Sequence, residues 1–480
     1  MAYNMEPGTA YLSGLLWLPK ELVDLRQLKA SLTFTPNATS KLKKQREPLL
    51  AWADGVHHIG VPRYIWGPFD GEVFRNRFTD WGIPLIDLRP KEFETVPMRS
   101  QVVLDAIRHD GVQQAAVARL LQHDAGGLVI SCGVGKTVIA LHAAAQFRNP
   151  FIVIVDSSGL QQQWKDEIHR HLVMDDGSPV PVGLVGDGHH DWDKPVVVAL
   201  VETLYRMANE QTLPVEVRNR FAVAIFDEAQ IMGAKEFSKA APLFAGRRYW
   251  LSATPRRQDG LEQMYYLHLG PARMTYLKQD LRPSFYFYRV QHRIDPADPM
   301  FKAHVMLYNQ INIPKLHTYL AGLQPRTYEI VDLIKQGAAQ GRNILVLSDR
   351  RYMLQQLHAL LPDASVVHGG VKGEQRTVAT NRGKILICQL RLGEKALNKQ
   401  ALDMLVVCEP FSWEGSFQQI IGRAQRLVPG KHLPIVIFVE DHIGPCLRTC
   451  RKLKQLIVSW PPDRGGPYSW RYLSAEGSGA

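Results

Sequence analysis

The sequence predicts an α/β protein in which two parallel β-sheets, each covered by helices, follow one another along the chain. Short β-branched runs recur from Gly127 onward, helix-length segments separate them, and a second series starts at residue 343. Near-continuous apolar strands are typical of parallel sheets, because helices bury both faces of such a sheet. The 480-residue chain also exceeds one ordinary hydrophobic core, so two or three domains are expected.

Each series contains five apolar runs. The first comprises residues 127–131, 151–156, 195–201, 221–229 and 248–254, and the second comprises residues 343–349, 364–370, 384–389, 404–410 and 434–440. The expected domains are therefore an accessory domain (1–95), a first α/β domain (96–275), a linker and connecting segment (276–325), a second α/β domain (326–460) and an irregular tail (461–480). Within the linker, alternating aromatic residues at 284–288 predict an edge strand with one face in the core.

Composition restricts the partners and the compartment. The net charge of +11 favours a polyanionic partner. Five cysteines without CxxC pairs predict free thiols and a reducing cytoplasm rather than zinc or disulfides, and Cys446 and Cys450 are spaced to share a helix face. No basic residue precedes the first apolar stretch, and no window has about 18 uninterrupted apolar residues, so neither a secretory signal nor a membrane span is expected.

A glycine-containing loop, Gly133-Val134-Gly135-Lys136-Thr137, lies between the first apolar run and an Ala-rich helix. In such a loop, backbone N–H groups and the helix N-terminus surround phosphate, the lysine neutralises β- and γ-oxygens, and the threonine hydroxyl ligates Mg2+. The strict motif has glycine where Ile130 stands, so only the relaxed form is present. The loop predicts an ATP site, and a plain turn is the alternative.

Two acidic residues end a later strand and complete this chemistry. Asp227 and Glu228 follow four apolar residues, about 90 positions after the loop. Asp227 is the candidate metal ligand and Glu228 the candidate base for the attacking water. Two solvated acids at a strand end are the alternative interpretation.

With these residues in place, the chain from about Arg99 to about Glu440 resembles superfamily 2 helicases and translocases, the DEAD/DEAH-like or DExH class of phage or bacterial type. Asp227-Glu228-Ala229-Gln230 looks like the metal and hydrolysis motif of that family, and Ser252-Ala253-Thr254 looks like the element that couples hydrolysis to strand movement. The segment from Gln419 to Arg426 is similar to the QxxGRxxR element. The resemblance implies two tandem RecA-like P-loop domains. It also implies nucleotide contacts from Gln230 and Gln419, and two arginines, Arg423 and Arg426, that reach the γ-phosphate.

Weaker similarities suggest further contacts. Arg99 and Gln101 resemble an upstream adenine-reading element, and the strand-to-helix turn with Ser157, Ser158 and Gln163 resembles a contact to the nucleic-acid backbone. A plain helix cap is the alternative for the two serines. The chain departs from the family at Lys395–Asn398, where an acidic-glycine turn is usual.

The expected function is an ATP- and Mg2+-dependent helicase or translocase that couples hydrolysis between the two domains to stepping along a strand. Family similarity favours DNA, single-stranded or branched, over RNA, which is not excluded. Two alternatives are a remodelling or branch-migration translocase without processive unwinding, and a weakly hydrolysing ATP-dependent nucleic-acid-binding module. A membrane partner is not expected.

Overall fold

A computed structural model of the chain describes all residues except 1–4, 36–47, 67–76, 105–110, 132, 231–233, 258, 279–280, 372–374, 376–377, 381, 396–398, 400, 412–413, 426–427, 429 and 474–480. The chain divides into two compact units. The first comprises Met1–Ile130 and Val134–Tyr276, and the second comprises Leu277–Ala480 together with Ser131–Gly133.

The N-terminal part of the first unit is a small sheet with strand order β5-β6-β2-β1-β7. Helix α1 (Leu25–Ser31) precedes a separate pair, β3 with β4. The strands are β1 (Ala10–Leu12), β2 (Leu16–Pro19), β3 (Thr33–Phe34), β4 (Leu49–Leu50), β5 (Ala53–Asp54), β6 (His58–Val61) and β7 (Leu85–Asp87).

Two buried arginines join this small sheet to the rest of the first unit. The guanidinium of Arg63 donates to the carbonyls of Ala245 and Gly246 at 2.8 and 2.9 Å, and that of Arg248 donates to the carbonyl of Gly14 at 2.7 Å. Both side chains are almost completely buried. Buried guanidinium groups need such acceptors, so these bonds specify how the N-terminal sheet packs within the unit.

The larger sheet of the first unit has the order β13-β12-β14-β10-β15-β16-β9-β17, and its strand pairs are parallel except for β12 with β13. Strands β8 and β11 form a separate antiparallel pair. The strands are β8 (Met98–Ser100), β9 (Ala125–Ile130), β10 (Phe151–Val155), β11 (Leu172–Met174), β12 (Val182–Gly186), β13 (His189–His190), β14 (Val196–Leu200), β15 (Val223–Asp227), β16 (Arg247–Ser252) and β17 (Ala272–Tyr276). The helices are α2 (Val112–Gln122), α3 (Lys136–Gln146), α4 (Ser158–His171), α5 (Val201–Glu210), α6 (Val215–Arg220), α7 (Ala234–Ala240) and α8 (Glu262–Leu269).

The sheet of the second unit is parallel in all its pairs and has the order β22-β23-β21-β24-β25-β18-β26. The strands of the unit are β18 (Ser284–Arg289), β19 (Met306–Leu307), β20 (Gln310–Ile311), β21 (Ile344–Ser348), β22 (Ser365–Val367), β23 (Ile385–Gln389), β24 (Met404–Val407), β25 (Ile435–Glu440) and β26 (Trp470–Tyr472). The helices are α9 (Pro299–Val305), α10 (Ile313–Ala321), α11 (Gln324–Ala339), α12 (Arg351–Leu360), α13 (Leu390–Lys395), α14 (Glu414–Ala424) and α15 (Gly444–Val458).

The predicted α/β class with two parallel sheets is confirmed, and all ten predicted apolar runs contain strands. Strand β18 has the predicted alternation, with Phe285 and Phe287 buried. It is not an edge strand, however, because β26 pairs with its free side. The segment predicted as an irregular tail therefore contributes the edge strand, which the Pro/Gly-rich composition around it conceals.

Candidate functional site

The loop predicted to bind phosphate has the backbone conformation that its glycines permit. Gly133 and Gly135 have φ values of 95° and 96°, in the left-handed region that disfavours residues with a Cβ atom. Helix α3 starts directly afterwards at Lys136, so the first N–H groups of the helix lie at the loop. The half-buried Thr137 lies in the first turn of this helix.

Lys136 lies between the loop and the candidate base. Its Nζ donates to the carbonyl of Ile130 at 3.2 Å and is 4.0 Å from Oε1 of Glu228. The ammonium group is thus positioned to contact both a phosphate at the loop and the carboxylate that would activate water.

Gln113, at the start of α2, supports the loop from the side. Its Nε2 donates to the carbonyl of Val134 at 2.7 Å, and a Cβ atom added to Gly135 would lie 3.0 Å from the same nitrogen. Sequence analysis missed this residue. The available signal was a glutamine at the start of a helix about 20 residues before the loop.

Arg99 and Gln101, the predicted adenine-reading pair, lie in β8 and directly after it. Arg99 belongs to β8, which pairs with β11, and the backbone N–H of Gln101 donates to the carbonyl of His171. Both side chains are exposed. Gln113 contacts the loop through its side chain, and adenine reading by Arg99 and Gln101 stays a prediction.

Asp227 and Glu228 lie at the carboxyl end of β15. Strand β16 separates β15 from β9, which leads into the loop, so both strands end at the same edge of the sheet. Ligands of open α/β sheets bind at that edge. Asp227 is 7% exposed, and Glu228 has a φ of 48°, which is uncommon for a residue other than glycine and costs backbone strain.

Burial and the neighbouring charge of Glu228 raise the pKa of the Asp227 carboxyl group. A hydrogen bond from the indole Nε1 of Trp164 to Oδ2, 2.7 Å long, acts in the opposite direction. A nearby cation would stabilise the charged form of such a buried carboxyl group.

Gln230 connects the hydrolysis motif to the predicted coupling element. Its Nε2 donates to Oε2 of Glu228 at 2.5 Å and to Oγ1 of Thr254 at 3.3 Å. Arg257 in turn donates to the carbonyl of Gln230 at 2.8 Å. Within the coupling element, Ser252 Oγ accepts a hydrogen bond from the N–H of Thr254, and Ala253 is 1% exposed. The structure thus brings these two motifs into direct contact.

These residues fit ATP with Mg2+. Bound Mg2+ would supply charge neutralisation on the phosphates; Thr137 and Asp227 are the residues that would hold it, and Lys136 would contact phosphate oxygens. Among the described residues, no group of three or more His, Cys, Asp or Glu could hold a metal by itself. That finding is compatible with Mg2+, which keeps several water and phosphate ligands. The fold and the site define the class of phosphate-loop ATPases.

The candidate strand contacts lie at the start of α4. Ser157 precedes the helix in an extended conformation and makes no side-chain capping hydrogen bond, so the alternative of a plain serine cap is not observed for it. Ser158 is the first residue of the helix, and the half-buried Gln163 follows five positions later.

In the second unit, Gln419 and Arg423 are half-buried residues of α14, one turn apart. Arg426 lies outside the described residues. In the segment that departs from the family pattern, Lys395 is the last residue of α13. Residues 396–398 also lie outside the described part of the chain.

Comparison with known proteins finds relatives that are named as helicases and translocases. The model of the family described as the res subunit of type III restriction enzymes matches residues 107–257. A predicted ATP-dependent RNA helicase of Acanthamoeba polyphaga mimivirus is 24% identical over 446 residues, covering 88% of this chain and 79% of the relative. The DNA 3'-5' translocase XPB2 of Sulfurisphaera tokodaii is 29% identical over 187 residues, 39% of each chain.

Among solved structures, S. cerevisiae Dbp5 bound to RNA and ADP BeF3 has a TM-score of 0.52 at 13% identity, covering 75% of this chain and 89% of Dbp5. This similarity concerns the fold, which is that of two tandem RecA-like domains. Together with the motifs, these matches support a superfamily 2 helicase, a class whose members hydrolyse ATP. In the part of the chain that the structure describes, no helix is long and apolar enough to cross a membrane.

Proposed function

We propose that this protein is an ATP- and Mg2+-dependent helicase or translocase that acts on DNA. One observation carries the proposal: Gln230 donates both to Glu228, the candidate base, and to Thr254 of the coupling element. A change at the reacting phosphate can therefore be transmitted to Thr254 through one side chain. A nucleotide-binding protein without a motor function has no need of that link.

The residues of the site have distinct roles in this proposal. Gly133, Val134 and Gly135 surround the phosphates, and Lys136 neutralises their charge. Glu228 lies within 4.0 Å of Lys136 and accepts the proton of the attacking water. Arg423, and Arg426 with it, supply positive charge to the transferred phosphoryl group, as the family resemblance implies.

DNA is proposed as the substrate on family similarity, and the names of the relatives differ on this point. The archaeal relative is named as a DNA translocase, whereas the mimivirus relative is named as an RNA helicase. The net charge of +11 supports a polyanionic partner of either kind.

Multiple-turnover phosphate release with single-stranded DNA, with single-stranded RNA of the same sequence, and without nucleic acid tests the proposal. DNA is expected to stimulate release more than RNA does. Stimulation by RNA alone would contradict the choice of substrate. If neither nucleic acid changed the rate of release, the alternative of a weakly hydrolysing binding module would be favoured. A strand-displacement assay on forked DNA then separates an unwinding helicase from a remodelling translocase.

A further inference from the structure

Trp164 places a buried indole N–H on the carboxylate of the candidate metal site. Its Nε1 donates to Oδ2 of Asp227 at 2.7 Å, and Trp164 is 1% exposed. A hydrogen bond to a buried carboxylate restricts the rotation of that carboxylate. The indole therefore fixes the position of Oδ2 within the candidate metal site.

The helix that carries Trp164 is anchored to the sheet by polar side chains on successive turns. Gln161 Nε2 donates to the carbonyls of Val185 in β12 and Val198 in β14 at 3.1 and 2.8 Å. Gln161 is 3% exposed. Gln161 therefore binds the backbone of the sheet, whereas Trp164 binds the side chain of Asp227 in the hydrolysis motif.

The same helix begins with the candidate strand contacts. Ser157 and Ser158 form its start, and Gln163 directly precedes Trp164. Rigid secondary-structure elements with packed side chains transmit energetic coupling between sites. A nucleic-acid backbone bound at the start of α4 would influence the position of this helix. Trp164, on the buried face of the helix, contacts the hydrolysis motif and could therefore transmit that influence to Asp227.

We propose that Trp164 is a positioning residue that orients Asp227 toward Mg2+ and couples this orientation to strand binding at the start of α4. The inference rests on the proposed function, because it takes nucleotide with Mg2+ at Asp227 and a nucleic-acid strand at α4.

Trp164→Phe tests it, since this change removes the N–H and keeps an aromatic ring. Trp250→Phe is the matched control. Trp250 is fully buried in the same unit, and its Nε1 donates to the backbone carbonyl of Gly270 at 2.9 Å rather than to a carboxylate. Both variants lose one buried indole hydrogen bond, so thermal melting of both measures the purely structural cost.

The readout is equilibrium binding of a fluorescent non-hydrolysable ATP analogue, in Mg2+ and in EDTA, with and without single-stranded DNA. For Trp164→Phe we expect about 10-fold weaker Mg2+ affinity of the nucleotide complex, as for other residues that support metal ligands. We also expect strand binding to lose most of its effect on nucleotide affinity. Affinity in EDTA should match that of the parent, because Lys136 and the glycine loop are unchanged.

The inference is overturned if Trp164→Phe keeps the Mg2+ dependence and the strand effect of the parent, or if Trp250→Phe loses them to the same extent. A parent protein that binds nucleotide without any influence of Mg2+ or DNA would instead contradict the proposed function itself, and the role of Trp164 with it.

Discussion

Gln230 and Thr254 lie 24 residues apart in sequence, yet the side-chain amide of Gln230 donates to Oγ1 of Thr254 at 3.3 Å. The same nitrogen also donates to Oε2 of Glu228. Because β15 and β16 are parallel neighbours, the residues that follow them meet at one edge of the sheet. This contact joins the hydrolysis motif to the coupling element within one unit of the chain.

Gln230→Ala should uncouple hydrolysis from strand binding. A hydrogen bond to a charged group contributes about 1.5–3 kcal/mol, so we expect strand-stimulated phosphate release to fall about 10-fold or more. ATP affinity should fall less than this stimulation does, because the loop stays intact. Gln146→Ala, an exposed glutamine at the end of α3, is the control. A Gln230→Ala protein with the stimulation of the parent would show that the link has no role.

Glu228→Gln should block the chemical step and spare binding. The amide keeps the size of the side chain but cannot accept the proton of water, so kcat for ATP is expected to fall about 100-fold or more. Equilibrium affinity for nucleotide should be kept. Glu210→Gln, on an exposed position of α5, serves as the control. Near-normal kcat in Glu228→Gln would assign the proton transfer to another group.

The second unit depends on a buried ion pair. Arg326 donates from Nε and Nη2 to the two oxygens of Asp441 at 2.6 and 3.0 Å, and also to the carbonyl of Cys408. Both side chains are almost fully buried. Asp441→Asn leaves the guanidinium without a counter-charge, so the free energy of unfolding should fall by about 3–5 kcal/mol in chemical denaturation.

A surface pair provides the comparison for that measurement. Arg148 and Asp175 are both well exposed, so Asp175→Asn should cost less than about 1 kcal/mol. Equal losses in the two variants would contradict a structural role specific to the buried pair.

His268 should make the first unit sensitive to acid. Burial, and then the charges of Arg248 and Arg63, lower the pKa of His268 from 6.5 to about 3. Between these pH values the unfolded chain binds a proton that the folded one does not, so stability is lost as pH falls through this window. The loss is about 1.4 kcal/mol per pH unit inside the window.

His268→Phe should flatten that dependence, because phenylalanine does not titrate. Unfolding measured between pH 7.5 and 5 should show a smaller decrease for this variant than for the parent. His190→Phe, at an exposed position of β13, should keep the slope of the parent. Identical slopes in His268→Phe and the parent would assign the acid sensitivity to other groups.

Local patterns predicted most of the fold. Buried parallel strands such as β10 are uniformly apolar, so they are visible in sequence without any partner. Strand β26 was not visible, because three residues in a Pro/Gly-rich segment become a strand only by pairing with β18. Gln113 and Trp164 were missed for a similar reason: neutral side chains indicate a function only when the fold places them against the loop or a carboxylate.

Lys136→Ala gives the most direct test of the ATP site and of the motor function built on it. Phosphate release is measured with and without single-stranded DNA, beside the parent and Lys194→Ala, whose lysine forms an exposed ion pair with Asp193. We predict that Lys136→Ala abolishes DNA-stimulated ATP hydrolysis, whereas Lys194→Ala keeps it. A Lys136→Ala protein that hydrolyses ATP at the rate of the parent would contradict the account.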